Sequence, residues 1–159
     1  MIRRARLADA EALAALQVRT WHHAYGELAD PDTMPGVAER LEVWRDRLGG
    51  AERYDTFVFD QDGRLAGFVS AGADRDGEPH TGEVYAIYVD PAAQGAGVGS
   101  ALFEHAVGVL RAAGHERAVL WTLEANGLAR AFYERHGWAA DGGRRDHDWG
   151  AELRYRRTL

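Results

Sequence analysis

The 159-residue chain contains no cysteine, and all 19 of its basic residues are arginine. Without cysteine there are no disulfides, no thiolate metal sites and no cysteinyl acyl-enzyme. Without lysine there is neither Schiff-base chemistry nor the lysine-dependent phosphate loop. No apolar run approaches the ~18 residues that a membrane span needs. The opening segment MIRRARLADAEALAAL mixes charge with its apolar residues and has no signal-like core, so cytoplasmic residence is the expectation. The formal charge of −6 argues against broad binding to nucleic-acid phosphates and is compatible with a cationic substrate. What remains is the composition of an ordinary globule, 46% hydrophobic and 28% charged, of a length that suits one domain over residues 1–159.

The apolar patterning predicts a short strand at Ile2 to Arg6 and a helix over Ala10 to His23, with Asp9 placed to cap it. A second helix is expected over Val37 to Leu48, stopped by Gly49-Gly50. TFVFDQDGRLAGFVSAGA reads as two strands around an Asp62-Gly63 turn. Further strands are expected at Glu83–Val89 and Ala118–Thr122, with helices over Gly97–Ala113 and Leu128–His136. Two last strands, Trp138 to Asp141 and about Ala151 to Arg156, complete the pattern. The fold class is therefore α/β: a mixed, mostly antiparallel sheet of about seven strands flanked by about four helices.

Between a strand and a helix lies Gln94-Gly95-Ala96-Gly97-Val98-Gly99-Ser100. The first amides of a helix lack helical acceptors, and its dipole places about half a positive charge there. Glycines admit positive φ and let the main chain close on an anion, so amides alone can hold a diphosphate without lysine. A dinucleotide fingerprint would need glycine or alanine at Ser100 and belongs to a first βα unit. The same spacing is also satisfied by a tight connection whose glycines serve packing alone.

VYAIYVDPAAQGAGVGSAL resembles the acyl-CoA-binding motif of the GCN5-related N-acetyltransferase superfamily, with Gln94, Gly97 and Gly99 at its Gln/Arg-x-x-Gly-x-Gly/Ala positions. ANGLARAFYERHGW is similar to the second family motif, with Asn126, Tyr133, Gly137 and Trp138 in place. The two lie about thirty residues apart, as they do in the family. Before Glu83 the sequence departs most from the family pattern, and that is where the acceptor is chosen.

The resemblance implies an acyltransferase that uses acetyl-CoA as cosubstrate, with no metal. It would move an acetyl group directly to a primary amine of a small molecule, peptide or protein in a ternary complex. Cofactor contacts are expected from the backbone of Ile87, Tyr88 and Val89, where the strand would splay at a bulge. They are also expected from Gln94, Gly95, Ala96, Gly97, Val98, Gly99, Ser100, Asn126 and Tyr133. Asn126 serves equally as the cap of the helix that follows it.

Tyr133 is the expected proton donor to the departing sulfur, since a phenol stays protonated at neutral pH. An alkylammonium with a pKa near ~10.4 must lose its proton before attack. The resemblance implies Glu83, eleven residues before Gln94, as the base, with a relay through water as the alternative. His80, Tyr85 and Glu124 stand behind Glu83. A homodimer is a further expectation of the resemblance, with no nucleic-acid or membrane partner. The rivals are a non-catalytic acyl-CoA-binding module on the same fold and a different nucleotide-binding α/β protein. His22-His23 and Asp146-His147-Asp148 are read as helix surface and polar turn. Trp21, Tyr25, Trp44 and Tyr54 are read as packing. Arg144 and Arg145 are surface residues with a possible phosphate contact.

Overall fold

The computed structural model describes residues 1–51 and 54–159. Among these, the elements in chain order are β1 (Ile2–Arg4), α1 (Ala10–Tyr25), α2 (Val37–Asp46), β2 (Tyr54–Gln61), β3 (Arg64–Ala73) and β4 (Thr81–Val89). They continue as α3 (Val98–Ala112), β5 (Arg117–Leu123), α4 (Gly127–Arg135), β6 (Ala139–His147) and β7 (Gly150–Thr158). One sheet runs β1-β2-β3-β4-β5-β7-β6. Among the described residues its only parallel pair is β4 with β5, and every other neighbour is antiparallel. This is the mixed, seven-stranded sheet with four helices that the patterning predicted.

Local chemistry explains most boundaries. Asp62 and Gly63 adopt φ of 52° and 88°, the paired left-handed geometry of a two-residue hairpin turn. α2 ends at Asp46, two residues before the expected Leu48, and passes into a wide turn where Gly50 has φ of 103°. Asp9 does not cap α1 with its side chain. Its carboxylate turns back to Arg3 at 2.8 and 2.9 Å and to the Arg6 amide at 2.7 Å, because a bidentate guanidinium outbids a lone helix amide.

The last hairpin departs from expectation. β6 extends to His147 rather than stopping at Asp141, and Asp148-Trp149 turns it into β7. Gly, Asp and Arg have little intrinsic strand preference. The pairing of Arg144, Arg145 and Asp146 with Leu153, Glu152 and Ala151 supplies it instead.

Helices cover both faces of the sheet. α3 buries Val98, Leu102, Phe103, Ala106 and Leu110 against sheet residues such as Val69, Val84 and Leu120, joined by Tyr133 and Trp138. On the other face, Leu13, Leu16 and Trp44 pack on Val58, Leu65 and Phe68. Trp44 is fully buried, with its ring edge-on to Phe68 at 5.1 Å. Its indole N–H donates to Oε1 of the buried Gln17 at 3.0 Å, which also accepts from Arg40 Nε at 2.9 Å. Both buried polar groups are thus partnered, as burial requires.

Candidate active site

β4 ends at Val89, and the buried carboxylate of Asp90 after it accepts from the Ala92 amide at 3.0 Å, Arg19 at 2.7 Å and Arg64 at 3.3 Å. Burial alone would raise its pKa. The Ala92 amide and the Arg19 guanidinium outweigh that and hold it below the usual carboxylate range. This anchored Asx turn sets the path into the glycine segment. Gly95 and Gly97 take φ of 78° and 81°, and Gly97 is the residue from which α3 departs. The first helical hydrogen bond runs from the Ala101 amide to the Gly97 carbonyl at 3.0 Å. The amides of Val98, Gly99 and Ser100 therefore lack helical acceptors at the positive end of a 15-residue helix. Gln94, Gly95, Ala96, Gly97 and Ser100 are exposed around them. At Gly99 a Cβ would stand 3.4 Å from Val89 and 3.5 Å from Phe132, ordinary contact distances, so packing does not demand glycine there.

β4 and β5 separate after a short contact. Their pairing covers Thr81–Arg117, Gly82–Ala118 and Glu83–Val119 and then stops. On its other edge β4 shifts register against β3: Ser70 faces Ala86 and Ala71 faces Val84, which leaves Tyr85 as an extra residue. Such a bulge bends the strand and advances its side-chain alternation by one. Val84, Ile87 and Val89 accordingly pack toward α3, whereas Ala86 and Tyr88 pack toward α1. From Val84 onward the β5-facing edge of β4 has no strand partner among the described residues. Ile87, Tyr88 and Val89 remain paired to β3 on the opposite edge.

The separation opens a cleft of about 110 Å³ through the sheet. Ile87, Thr122 and Tyr133 line it from the α3 side, and Tyr25, Tyr88, Trp121, Trp149 and Glu152 from the α1 side. Tyr133, on α4, is 8% exposed and stacks against Phe103 at 5.6 Å. Burial pushes its phenol far above the ordinary range, with the neighbouring phenols of Tyr25 and Tyr88 adding to the effect, so the hydroxyl keeps its proton. Asn126 uses both ends of its amide. Oδ1 caps α4 by accepting from the Ala129 amide at 3.1 Å, and Nδ2 donates to the Tyr25 hydroxyl at 3.3 Å, linking α4 to α1.

Glu83 lies apart from these groups. It stands at the last β4–β5 pair, at the closed end of the cleft, and is 1% exposed. Arg75 takes both of its oxygens: the main-chain amide at 2.9 Å, Nε at 3.0 Å and Nη2 at 2.5 Å. Of the residues ranked behind it, Tyr85 donates its hydroxyl to the Ala73 carbonyl, and burial with the nearby Glu83 charge pushes its phenol up to about 12. Glu124 pairs with Arg144 at 2.9 Å. His80 sits at a positive φ of 55° in the loop before β4.

Several residues read as surface or packing belong to the cleft. Tyr25 lines it, and so does His147, whose ring meets Trp149 at 5.5 Å. Arg144 and Arg145 are committed to Glu124 and Glu152 rather than offered to a phosphate. Trp149 and Glu152 escaped sequence reasoning because only the β6–β7 pairing carries them back over α1. The unexpectedly large aromatic in a Gly- and Asp-rich turn, DHDWG, was the one available signal.

Comparison with known proteins agrees with this geometry. The model of the Acetyltransferase (GNAT) family matches residues 12–138. A mycothiol acetyltransferase of Salinispora arenicola is 34% identical over 154 residues, covering 94% of this chain and 45% of that protein. The uncharacterized N-acetyltransferase YuaI of Bacillus subtilis is 29% identical over 127 residues, 79% of this chain and 72% of that one. This chain thus spans less than half the length of the mycothiol enzyme. Among solved structures, the PaiA N-acetyltransferase of Thermoplasma acidophilum with coenzyme A superposes with a TM-score of 0.77 at 17% identity, covering 100% and 98% of the two chains. The yncA structure of Salmonella typhimurium, which holds acetyl-CoA, gives 0.74 at 23% identity over 100% and 93%. The chain belongs to the GNAT acetyltransferase family.

Proposed function

We propose that the chain is an acetyl-CoA-dependent N-acetyltransferase that moves the acetyl group directly onto a primary amine within a ternary complex. One observation carries this reading. The strands part where a buried phenol lines the opening beside an unpaired strand edge, and the same strand leads into three amides without helical acceptors at a helix start. The amides of Val98, Gly99 and Ser100, with Gln94 to Gly97 around them, are suited to a diphosphate. The open edge of β4 at Ile87, Tyr88 and Val89 is suited to the amide-bearing arm of the cofactor, and acetyl-CoA supplies the activated acetyl group when bound. Structures of two similar folds hold coenzyme A or acetyl-CoA, which supports the assignment.

Tyr133 donates a proton to the departing sulfur, a role that its retained proton permits. Glu83 receives the proton of the amine. Because Arg75 occupies both of its oxygens and it is 1% exposed, the proton reaches it through a relay rather than by direct contact. The engaged state of Glu83 is also what favours the alternative, an acyl-CoA-binding module that does not turn over.

Thiol release from acetyl-CoA over a library of amines decides between the two. Tyr133→Phe should lower kcat by about 10²-fold or more while coenzyme A affinity is retained. Glu83→Gln should depress kcat/KM most at low pH. No thiol release with any amine, despite tight coenzyme A binding, would establish the non-catalytic reading. Unchanged turnover in Tyr133→Phe would remove the proton donor.

A further inference from the structure

We propose that the cleft selects acceptors carrying a second cationic group, and that Glu152 is the residue that reads it. The proposal rests on the transfer reading above and adds a substrate class to it.

Glu152 is the sole carboxylate lining the cleft among the described residues. On β7, Leu153 and Tyr155 pack into the α3-side core, so the alternation of the strand turns Glu152 to the α1 side. Its oxygens are differently placed. Oε2 accepts from Arg145 Nε at 2.6 Å, whereas Oε1 accepts no hydrogen bond from any described residue. Arg145 is itself fixed, with its guanidinium 4.1 Å over the ring of Trp121. The carboxylate is therefore held rigidly, with one acceptor oxygen available.

Aromatic side chains share the cleft with that carboxylate: Tyr25, Tyr88, Trp121 and Trp149 all line it. Trp149 packs against Tyr25 at 5.4 Å and against Trp21 at 5.5 Å, which pins the β6–β7 turn over the end of α1. Rings so arranged attract cations through their negative faces, and a charge-assisted hydrogen bond to carboxylate is roughly twice as strong as a neutral one. Burial raises the phenols of Tyr25 and Tyr88, and the charge of Glu152 adds to the rise of both.

Chemistry dictates that the cation read here is not the reacting nitrogen. An ammonium held against a carboxylate is stabilised in its charged form, and a charged nitrogen has no lone pair to attack a thioester. The reacting nitrogen belongs beside Tyr133, on the α3 side of the same cleft. The acceptor must then present two nitrogens a short distance apart, as an aliphatic diamine does. An anionic acceptor is disfavoured by the same carboxylate.

The test compares 1,4-diaminobutane with 1-aminobutane on the full chain saturated with acetyl-CoA, reading thiol release. Calorimetry of each amine against the coenzyme A-loaded protein runs alongside. The wild type should favour the diamine in kcat/KM by at least about tenfold. Glu152→Gln should erase that preference by raising KM for the diamine, with kcat changed less than about threefold. Trp149→Leu should weaken the preference without altering charge. Unchanged coenzyme A affinity and thermal midpoint in each variant establish that it is folded. Equal use of the two amines by the wild type overturns the proposal, as does a Glu152→Gln variant that loses kcat for both at constant KM. If no thiol is released with either amine, the transfer reading fails, and calorimetry decides this one separately. Diamine binding that is lost in Glu152→Gln upholds it, and absence of binding sinks it.

Discussion

Replacing Gly97 by alanine tests the part of the candidate site to which the proposed function assigns cofactor binding. Gly97 is the left-handed residue from which α3 starts, at φ 81°. A Cβ added there meets nothing within 4 Å, so steric crowding contributes nothing and the whole penalty is conformational. Holding an L-residue in this region costs about 1–2 kcal/mol. Two outcomes share that sum. If the turn keeps its shape, the protein is destabilised by the full amount, and the thermal midpoint falls by about 2–8 °C for a chain of this size. If the turn relaxes instead, the amides of Val98, Gly99 and Ser100 lose their common direction, and coenzyme A affinity falls by up to about 5–30-fold. Chemical denaturation and calorimetry on the same preparation measure both. Asparagine, which tolerates positive φ better than alanine, should recover much of the loss at position 97. Gly99→Ala is the contrasting control: its contacts are ordinary, and within a helix the added methyl is stabilising by up to about 1 kcal/mol over glycine. A Gly97→Ala protein with wild-type stability and wild-type coenzyme A affinity would refute the reasoning.

Trp44→Ala should cost about 3–5 kcal/mol of unfolding free energy, since a fully buried indole leaves a cavity between α2 and β3. Trp44→Phe, which removes one of the two donors to Gln17, should cost about 1 kcal/mol beyond its lost volume, and urea denaturation distinguishes the two. Acid should weaken the fold along a definite course. The Arg3 hydrogen bonds hold Asp9 below the usual range. At Asp141 burial opposes the shift, but the Gly143 amide and Arg156 win. A carboxyl whose folded pKa is depressed stabilises the protein above its unfolded value, near ~3.9, and loses that contribution as pH falls through the lower folded value. Thermal midpoints measured downward from pH 7 should therefore hold to about pH 4 to 5 and then decline, less steeply in Asp9→Asn. A midpoint that fell evenly from pH 7 would point to other groups.

The parts of the fold that could be read in advance are those whose cause is local. The Asp62-Gly63 turn, the glycine stop near Gly50 and the left-handed start of α3 each follow from the φ range of one or two residues. The end of β6 did not follow, because the register shifts between Ala140 and Arg144, and Arg144, Arg145 and Asp146 beyond it become strand through pairing with β7. The turn residues and Tyr133 were likewise legible, since they lie in compact motifs. Glu83 was legible as a carboxylate on β4, but not as the partner of Arg75, eight residues upstream across a loop, which takes both of its oxygens. Glu152 carried no signal at all, since its meaning comes from Arg145 and from a cleft formed by six separate elements, α1, β4, β5, α4, β6 and β7.

By itself the sequence determined the element order, the sheet's mixed character and the amide turn, because periodicity and glycine φ preferences act within a few residues. Only the tertiary structure decided where β4 leaves β5, which side chains then face through the opening and which charges are already spent on partners. Those depend on register and on contacts between residues as much as 101 positions apart, such as Asn126 with Tyr25, which no local pattern encodes.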